Sequence, residues 1–269
     1  MMKKVTLYVL LSISALILFF PVLYAISASF MQPQEIYAGK MFPSSINFDA
    51  YKEAFDSIPL LHFLSVSFWV SFIVMIGQLV VCSLAAYAFV FIPFKGRNFI
   101  FFLFLATMLI PWEATIIPNF LTILNLDMIN TYPGLTLPFF ALPFGIFLLR
   151  QHFLTIPKEL WESAQMDGCS RFRFYLKFAL PLSKSSLIAL GLYGFLTTWN
   201  QYLWPLLVTN DDTVRTVQIG LKMLIANESS SSWHIVMAAV VIILLPTLLL
   251  LFLGLKYIKQ GLTSGAVKG

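Results

Sequence analysis

The chain has 269 residues, of which 59% are hydrophobic and 11% are charged, and its formal net charge is +5. Soluble domains contain about 45–50% apolar and about 25% charged residues, so this composition excludes an ordinary soluble protein. It predicts instead a chain whose solvent is lipid. The two cysteines, Cys82 and Cys169, show no metal-ligand spacing and are expected to be free thiols.

Six apolar stretches are long enough to cross a bilayer, which takes about 20 residues of helix. The first is longer than the apolar region of a signal peptide, so we expect it to be a retained helix. Backbone groups in lipid must be paired within their own segment, which favours helices throughout. We therefore predict an all-α, polytopic membrane protein with six transmembrane helices in a single domain over 1–269. In chain order the stretches cover about 5–30, 62–92, 99–123, 134–153, 183–208 and 233–257.

The basic residues predict the orientation, because they concentrate on the cytoplasmic side of membrane proteins. With the N-terminus inside, eight of the 12 acidic residues lie outside, and both termini are predicted to be cytoplasmic. The outer segments of about 31–61 and 209–232 are either solvated loops or a docking surface for a soluble partner. Thirteen of the 17 basic residues then lie inside, namely Lys3, Lys4, Lys95, Arg97, Arg150, Lys158, Arg171, Arg173, Lys177, Lys184, Lys256, Lys259 and Lys268.

No nucleotide-binding or catalytic motif accompanies the apolar stretches. The Gly39-Lys40 pair lacks the preceding glycine of a phosphate-binding loop and falls in an outer segment. Neither a zinc-hydrolase motif nor a nucleophile elbow occurs, and the three histidines lie far apart. The sequence therefore predicts a chain that is not an enzyme and binds no metal or cofactor of its own.

The segment 155–182, between the fourth and fifth stretches, has the pattern of two short helices. Thr155 is expected to cap the first helix, with Pro157 in its first turn. Leu160 and Ala164 would form one apolar stripe at a spacing of four residues. Asp167-Gly168 is expected to end this helix, because glycine accepts the left-handed backbone of a sharp turn.

A second short helix is expected to start near Ser170, and Pro181 to close it and begin the fifth span. It mixes basic residues with Phe172, Tyr175 and Phe178. Together the two helices would present an apolar and aromatic surface that the segment itself cannot cover. Such a surface indicates contact with a protein partner or with anionic lipid.

The residues from Glu162 to Gly168, together with Phe178-Ala179-Leu180-Pro181, resemble the EAA loop of bacterial ABC-importer permeases. That pattern is Glu-Ala-Ala, then a glycine after three intervening residues, and Ile-x-Leu-Pro after a long gap. Here Ser163 replaces the first alanine and Phe178 replaces the isoleucine. In that family the loop is a coupling helix that inserts into a cleft of a separate ATP-binding subunit. The resemblance implies coupling roles for Glu162, Ser163, Ala164, Asp167, Gly168, Leu180 and Pro181.

Beyond this loop the chain resembles the carbohydrate-uptake class of these permeases, related to the maltose-importer permeases. Within it, the segments 132–138, 180–184 and 199–207 are similar to the second permease subunit of sn-glycerol-3-phosphate importers, and 261–269 resembles the class as a whole. The resemblance implies a permease subunit in a bacterial inner membrane that carries sn-glycerol-3-phosphate or, alternatively, a sugar or oligosaccharide. It also implies a second permease subunit, two ATP-binding subunits that use the ATP, and an extracytoplasmic solute-binding protein. No nucleic-acid partner is expected.

Glu113 is an acidic residue within the third stretch, between Pro111 and Pro118. An acid at membrane depth faces protein or water, so Glu113 either lines a cavity or gate or makes an interhelical hydrogen bond. The flanking prolines predict a bent helix. A secondary transporter driven by an ion gradient, with Glu113 as the proton carrier, is the alternative class, although it would need no coupling loop.

The outer half of the fifth stretch mixes amides with aromatic rings. Amide donors and flat apolar faces suit a polyol or a sugar ring, whereas an aromatic belt at the membrane interface is the alternative. Nearby, Gly191 and Gly194 are expected to allow close helix packing. The candidates for the translocation path are therefore Glu113, Trp199, Asn200, Gln201, Tyr202 and Trp204.

Overall fold

The computed structural model describes residues 2–227 and 233–263, and this part of the chain contains helices and turns but no strand. The all-α prediction is confirmed for these residues. The serine run 229–232 and the C-terminal residues 264–269 lie outside the described part. The helices are α1 (Met2–Ala28), α2 (Pro33–Tyr37), α3 (Asp49–Ser57), α4 (Leu60–Phe91), α5 (Arg97–Thr107), α6 (Trp112–Asn125), α7 (Tyr132–Thr136), α8 (Pro143–Phe153), α9 (Lys158–Met166), α10 (Arg171–Phe174), α11 (Leu180–Leu182), α12 (Lys184–Trp199), α13 (Leu203–Val208), α14 (Val217–Asn227) and α15 (Trp233–Thr263).

Three helices are long and apolar enough to cross a membrane unbroken: α1, α4 and α15. They match the first, second and sixth predicted spans. The third and fourth predicted spans are each divided between helices that meet at a bend, whereas the fifth, 183–208, begins at a bend and is interrupted between α12 and α13. The bends measure 99° between α5 and α6, 48° between the helices on either side of 140–142, and 79° before α12. Counting each bent pair as one span gives up to six spans.

Proline explains one of these breaks directly. Pro111 precedes α6 with an extended backbone (φ −63°, ψ 140°), and a proline disfavours helix in the residue before it. The predicted bend beside Glu113 therefore occurs at Pro111. Pro118, in contrast, lies inside α6 without interrupting it.

The contacts divide the chain into two units, one of residues 1–64 and 217–246 and the other of 65–216 and 247–269. In the first unit the outer segment 31–61 contains α2 and α3 rather than a loop alone. The Glu35 carboxylate organises this segment by accepting hydrogen bonds from Lys40 Nζ (3.1 Å), the Ser44 amide (3.0 Å) and the Gln32 amide (3.2 Å). The hydrogen bonds from Ser44, Lys40 and Gln32 lower the pKa of Glu35 to about 2.

Replacing Glu35 with Gln is expected to loosen the outer segment at neutral pH. Because the folded pKa lies below the ordinary value of 4.5, the stabilisation by Glu35 is complete above 4.5 and disappears as the pH falls through about 2. Hydrogen exchange at the Ser44 amide should thus be slow in the parent from pH 7 to pH 5 and fast in Glu35→Gln. The exposed Asp56, changed to Asn, is the matched control. Equal protection of Ser44 in parent and Glu35→Gln would contradict this account.

The second unit is built around α4, α8 and α12. Gly145 of α8 lies where a Cβ atom would come within 3.0 Å of the Cys82 sulfur and 2.9 Å of Leu190. The absence of a side chain at Gly145 therefore lets α8 approach the other two helices.

Cys82 is buried and Cys169 half-buried, and both are free thiols as predicted.

Gly194 and Gly191 of α12 both face α4, and the structure separates their roles. A Cβ atom on Gly194 would lie 2.1 Å from Gln78 Oε1, whereas one on Gly191 would lie 3.5 Å from Met75. Gln78 cannot move freely, because its Nε2 donates to the Phe139 carbonyl at 2.9 Å. Close packing, predicted for both glycines, is thus tight only at Gly194.

Gly194→Ala should therefore lower the stability of the detergent-solubilised chain by about 1–3 kcal/mol, the usual effect of overpacking. Gly191→Ala should be neutral or stabilising by up to about 1 kcal/mol, because alanine favours helix. Thermal unfolding of the two variants checks the contrast. Equal thermal midpoints would mean that Gln78 relaxes without losing its hydrogen bond.

Candidate functional site

The segment 155–182 begins differently from the prediction. Helix α9 starts at Lys158, and Pro157 is its N-cap rather than part of its first turn. The Thr155 hydroxyl donates to the His152 carbonyl at 2.7 Å, one turn back in the chain. The predicted cap by Thr155 is therefore wrong, because a nearer carbonyl takes its hydroxyl.

The predicted turn after α9 is confirmed. Gly168 has φ +71°, in the left-handed region. The Cys169 amide donates to the Ala164 carbonyl (2.9 Å) and the Gly168 amide to the Gln165 carbonyl (3.0 Å), which is a Schellman motif. A Cβ atom on Gly168 would meet nothing within 4 Å, so the backbone conformation alone requires glycine here.

The second helix begins where predicted, because the Ser170 hydroxyl accepts the Arg173 amide at 3.3 Å. Pro181 does not close it. The helix continues through a π-helical turn at Tyr175–Ala179 and through α11, and the bend comes only at Ser183. In the π turn the Leu180 amide bonds to the Tyr175 carbonyl five residues back. The wider turn lies just where the Pro181 ring would otherwise meet the preceding turn of an α-helix.

The predicted aromatic surface is only partly uncovered, because Phe172 is 63% exposed, Phe178 is half-buried and Tyr175 is buried. Phe174 is fully buried and Tyr175 is 6% exposed. The Phe174 ring contacts Trp161 of α9 (4.8 Å between centroids) and Phe91 of α4 (5.4 Å). The predicted stripe of Leu160 and Ala164 packs into the same cluster. Part of the apolar surface is therefore covered by the second unit itself, while Phe172 and Leu176 stay exposed.

Polar contacts fasten the same segment to α4 and α8. The Tyr87 hydroxyl donates to the Arg171 carbonyl at 2.8 Å, and the hydroxyls of Ser83 and Tyr175 lie 2.7 Å apart. His152 Nε2 lies 3.2 Å from the Leu182 carbonyl. Ser83 and Tyr87 are not among the residues predicted from the sequence, although hydroxyl groups four residues apart in an apolar stretch indicate a polar face on one side of the helix. The segment is thus hydrogen-bonded to both α4 and α8.

The seven coupling candidates fall into two groups. Glu162, Ser163 and Asp167 are exposed on α9 and its C-cap, beside Gly168, while Ala164 faces inward. Met166 adds an apolar side chain that is 88% exposed. Leu180 and Pro181 lie elsewhere and line an apolar cavity of about 500 Å³ with residues of α4 and α12. The structure therefore assembles one exposed polar face on α9 but does not join Leu180 and Pro181 to it.

The two candidate tryptophans offer no exposed face. Trp204 is fully buried, and its Nε1 donates to the Gly134 carbonyl at 3.1 Å. Trp199 is 2% exposed and stacks on Phe195. Both rings are packed inside the second unit, unlike the accessible sugar-binding faces that the sequence suggested.

The remaining path candidates lie at two breaks in the helices. Asn200, Gln201 and Tyr202 separate α12 from α13, and Asn200 is exposed. Glu113 is exposed in the first turn of α6, where the helix dipole favours an acid. Its neighbour Trp112 contacts Trp204, with ring centroids 5.9 Å apart. The structure thus brings the start of α6 next to the start of α13.

Broken helices have a defined meaning in a membrane. Backbone groups freed at a break are tolerated where they are buried in protein or line a water-filled cavity. The breaks at 108–111 and 200–202 would place such groups beside the Glu113 carboxylate and the Asn200 amide. The Glu113 carboxylate can accept hydrogen bonds from hydroxyl groups or attract a cation, whereas it would repel a phosphate. The Asn200 amide nitrogen already donates to the Leu196 carbonyl at 2.8 Å.

Several curated proteins resemble the chain over nearly its whole length. The sn-glycerol-3-phosphate transport system permease protein UgpE of Brucella abortus (strain 2308) is 36% identical over 95% of this chain and 94% of its own. The UgpE protein of Rhizobium meliloti (strain 1021) is 38% identical over 85% of each chain. The arabinooligosaccharides transport system permease protein AraQ of Halalkalibacterium halodurans is 34% identical over 95% of this chain and 93% of its own.

A solved structure shares the fold. A chain of a bacterial ABC transporter involved in the import of the acidic polysaccharide alginate superposes with a TM-score of 0.85 at 24% identity, covering 95% of this chain and 96% of that one. Residues 78–264, more than half of the chain, match the family described as binding-protein-dependent transport system inner membrane component. The chain therefore belongs to that family of membrane permease components.

Proposed function

We propose that the chain is one of two permease subunits of an ATP-driven importer in a bacterial inner membrane. The helix pairs over 97–125 and 132–153 would each form one span, and α12 with α13 would form the fifth. This gives six spans in a single permease domain over 1–269, with both termini and the segment 155–182 in the cytoplasm. The excess of basic residues on the predicted inner side supports this orientation. A second permease subunit, two ATP-binding subunits and an extracytoplasmic solute-binding protein would complete the importer.

One observation carries the coupling assignment: α9 presents an exposed polar face while its opposite face is fastened to α4. Glu162, Ser163 and Asp167 would contact the ATP-binding subunit, and Gly168 would set the turn. Because Phe174 and Tyr87 tie the segment to the membrane-spanning part, a push on α9 would be transmitted to α4 rather than absorbed locally. ATP would be bound and hydrolysed by the partner alone.

For the cargo we propose sn-glycerol-3-phosphate or a related polyol, supported by the UgpE relatives. A sugar or oligosaccharide is the second candidate, supported by the AraQ relative. The path would pass the two helix breaks, with Glu113 and Asn200 meeting hydroxyl groups. Trp199, Gln201, Tyr202 and Trp204 would hold the break at 200–202 in shape.

Reconstitution of the complete importer tests these assignments. With ATP inside proteoliposomes and the solute-binding protein outside, labelled sn-glycerol-3-phosphate should accumulate only when ATP is present. Uptake of a labelled arabino-oligosaccharide in its place would select the second cargo. Accumulation driven by an imposed ion gradient without ATP would overturn the importer mechanism in favour of a secondary transporter.

A further inference from the structure

Two arginines, Arg97 of α5 and Arg150 of α8, lie near Phe101 where these two helices are in contact. The Arg150 guanidinium carbon lies 4.1 Å from the centroid of the Phe101 ring. Arg97 precedes Phe101 by four residues in α5, so the two share one face of that helix. Arg97 is near enough to Arg150 for their charges to repel each other. Like charges so placed repel each other unless an anion lies between or beside them.

Within residues 2–227 and 233–263, no acidic side chain pairs with either arginine. Among the residues that the structure describes, the ion pairs involve other side chains, and no carboxylate lies within 4.0 Å of Arg97 or Arg150. Arg97 donates to the Val90 carbonyl at 3.1 Å, which leaves further donors of its guanidinium available. In Arg150 the buried Nε has no hydrogen-bond partner in the described part of the chain. A buried, unsatisfied donor on a cation is costly and calls for an acceptor.

A cavity of about 380 Å³ opens beside Arg97, in the connection between α4 and α5, and Arg150 lies outside its lining. Arg97, Gly96 and Asn98 supply its polar wall. Gly96 has φ +79° and is the N-cap of α5, whose first amides have no acceptor within the helix. Phe94 and Phe99 supply the apolar wall and are 40% and 65% exposed. The cavity is therefore cationic on one side and aromatic on the other.

We propose that this cavity binds the phosphate of an anionic phospholipid, with Arg97 as its cationic contact and Arg150 as a second positive charge nearby. The apolar wall fits this ligand, because the exposed side of α5 continues with Phe99, Phe102 and Leu103, along which an acyl chain can lie. Basic pockets at the membrane surface between transmembrane helices are a known setting for acidic headgroups. An acidic side chain of another subunit would satisfy the charge but would leave this aromatic flank uncovered.

The test uses the assembled importer, delipidated in detergent and titrated with phosphatidylglycerol or phosphatidylcholine while bound lipid is counted by native mass spectrometry. The parent should bind phosphatidylglycerol in preference. Arg97→Gln should weaken this binding about fivefold and Arg97→Gln with Arg150→Gln about 25-fold, on the basis of about 1 kcal/mol for each basic residue. Arg97→Lys, which keeps the charge, should stay within about threefold of the parent. Arg173→Gln, an exposed basic position outside the cavity, should bind like the parent.

Three outcomes would overturn the proposal. One is equal binding of the two lipids by the parent. Another is unchanged phosphatidylglycerol binding in Arg97→Gln, which decides the matter even if the double variant does not assemble. The third is loss of a partner subunit from Arg97→Gln with lipid binding intact, because this would assign the anion to a protein carboxylate.

Discussion

Gly168→Val is expected to leave the protein in the membrane but to uncouple ATP hydrolysis from uptake. Gly168 has φ +71°, and left-handed backbone costs an L-residue about 1–2 kcal/mol, with β-branched residues the least tolerant. The space around Gly168 is open, so the effect would come through the backbone alone. The altered turn would separate α9 from the cap at Ser170 and redirect the exposed face of α9. The measurement is solute transported per ATP hydrolysed in proteoliposomes.

The chain offers a control with the same strain at a different place. Gly39 has φ +69° and also has nothing within 4 Å of its Cβ position, but it lies in the outer segment 31–61. Gly39→Val should therefore keep the ratio of transport to hydrolysis. Gly168→Asn should recover most of the coupling, because asparagine enters the left-handed region more readily. A normal ratio of transport to ATP hydrolysis in Gly168→Val would contradict a role for this turn in coupling.

Features set by one or two neighbouring residues could be predicted from the sequence. The turn at Gly168 depends on a backbone angle that glycine alone adopts readily, and the cap at Ser170 depends on an amide three residues away. The three helices long and apolar enough to cross a membrane unbroken could likewise be predicted from their apolar stretches, because lipid favours helix. Each of these features depends only on residues that are close together in the chain.

Features set by distant residues could not be predicted. Trp204 reads as an interfacial or sugar-binding ring, but Phe139 and Trp112 enclose it from segments far away in the chain. Tyr175 reads as part of an exposed aromatic surface until Ser83 and Tyr87 of α4 are placed against it. The sequence also could not show which partner a polar group would bind. For this reason it did not predict the hydrogen bonds of Ser83 and Tyr87 to the segment 155–182.

Phe174→Ala is expected to loosen the coupling segment more than any other single truncation in it. Phe174 is fully buried and contacts Trp161, Phe91 and Phe178 at ring-centroid distances of 4.8, 5.4 and 5.2 Å. Truncating such a ring leaves a cavity and costs about 3–5 kcal/mol. The expected result is faster hydrogen exchange across 158–182, together with a fall in solute transported per ATP hydrolysed.

Phe172 is the matched control, because it is the same residue type two positions away but 63% exposed. Phe172→Ala should change the stability of the segment by no more than about 0.5 kcal/mol. Phe174→Leu keeps most of the buried volume, so it should restore most of the protection from hydrogen exchange and most of the solute transported per ATP hydrolysed. If exchange in Phe174→Ala became fast while coupling stayed normal, the segment would not act as a rigid lever. Motion would then reach the membrane through Leu180 and Pro181 at the bend, rather than through the contact of Phe174 with α4.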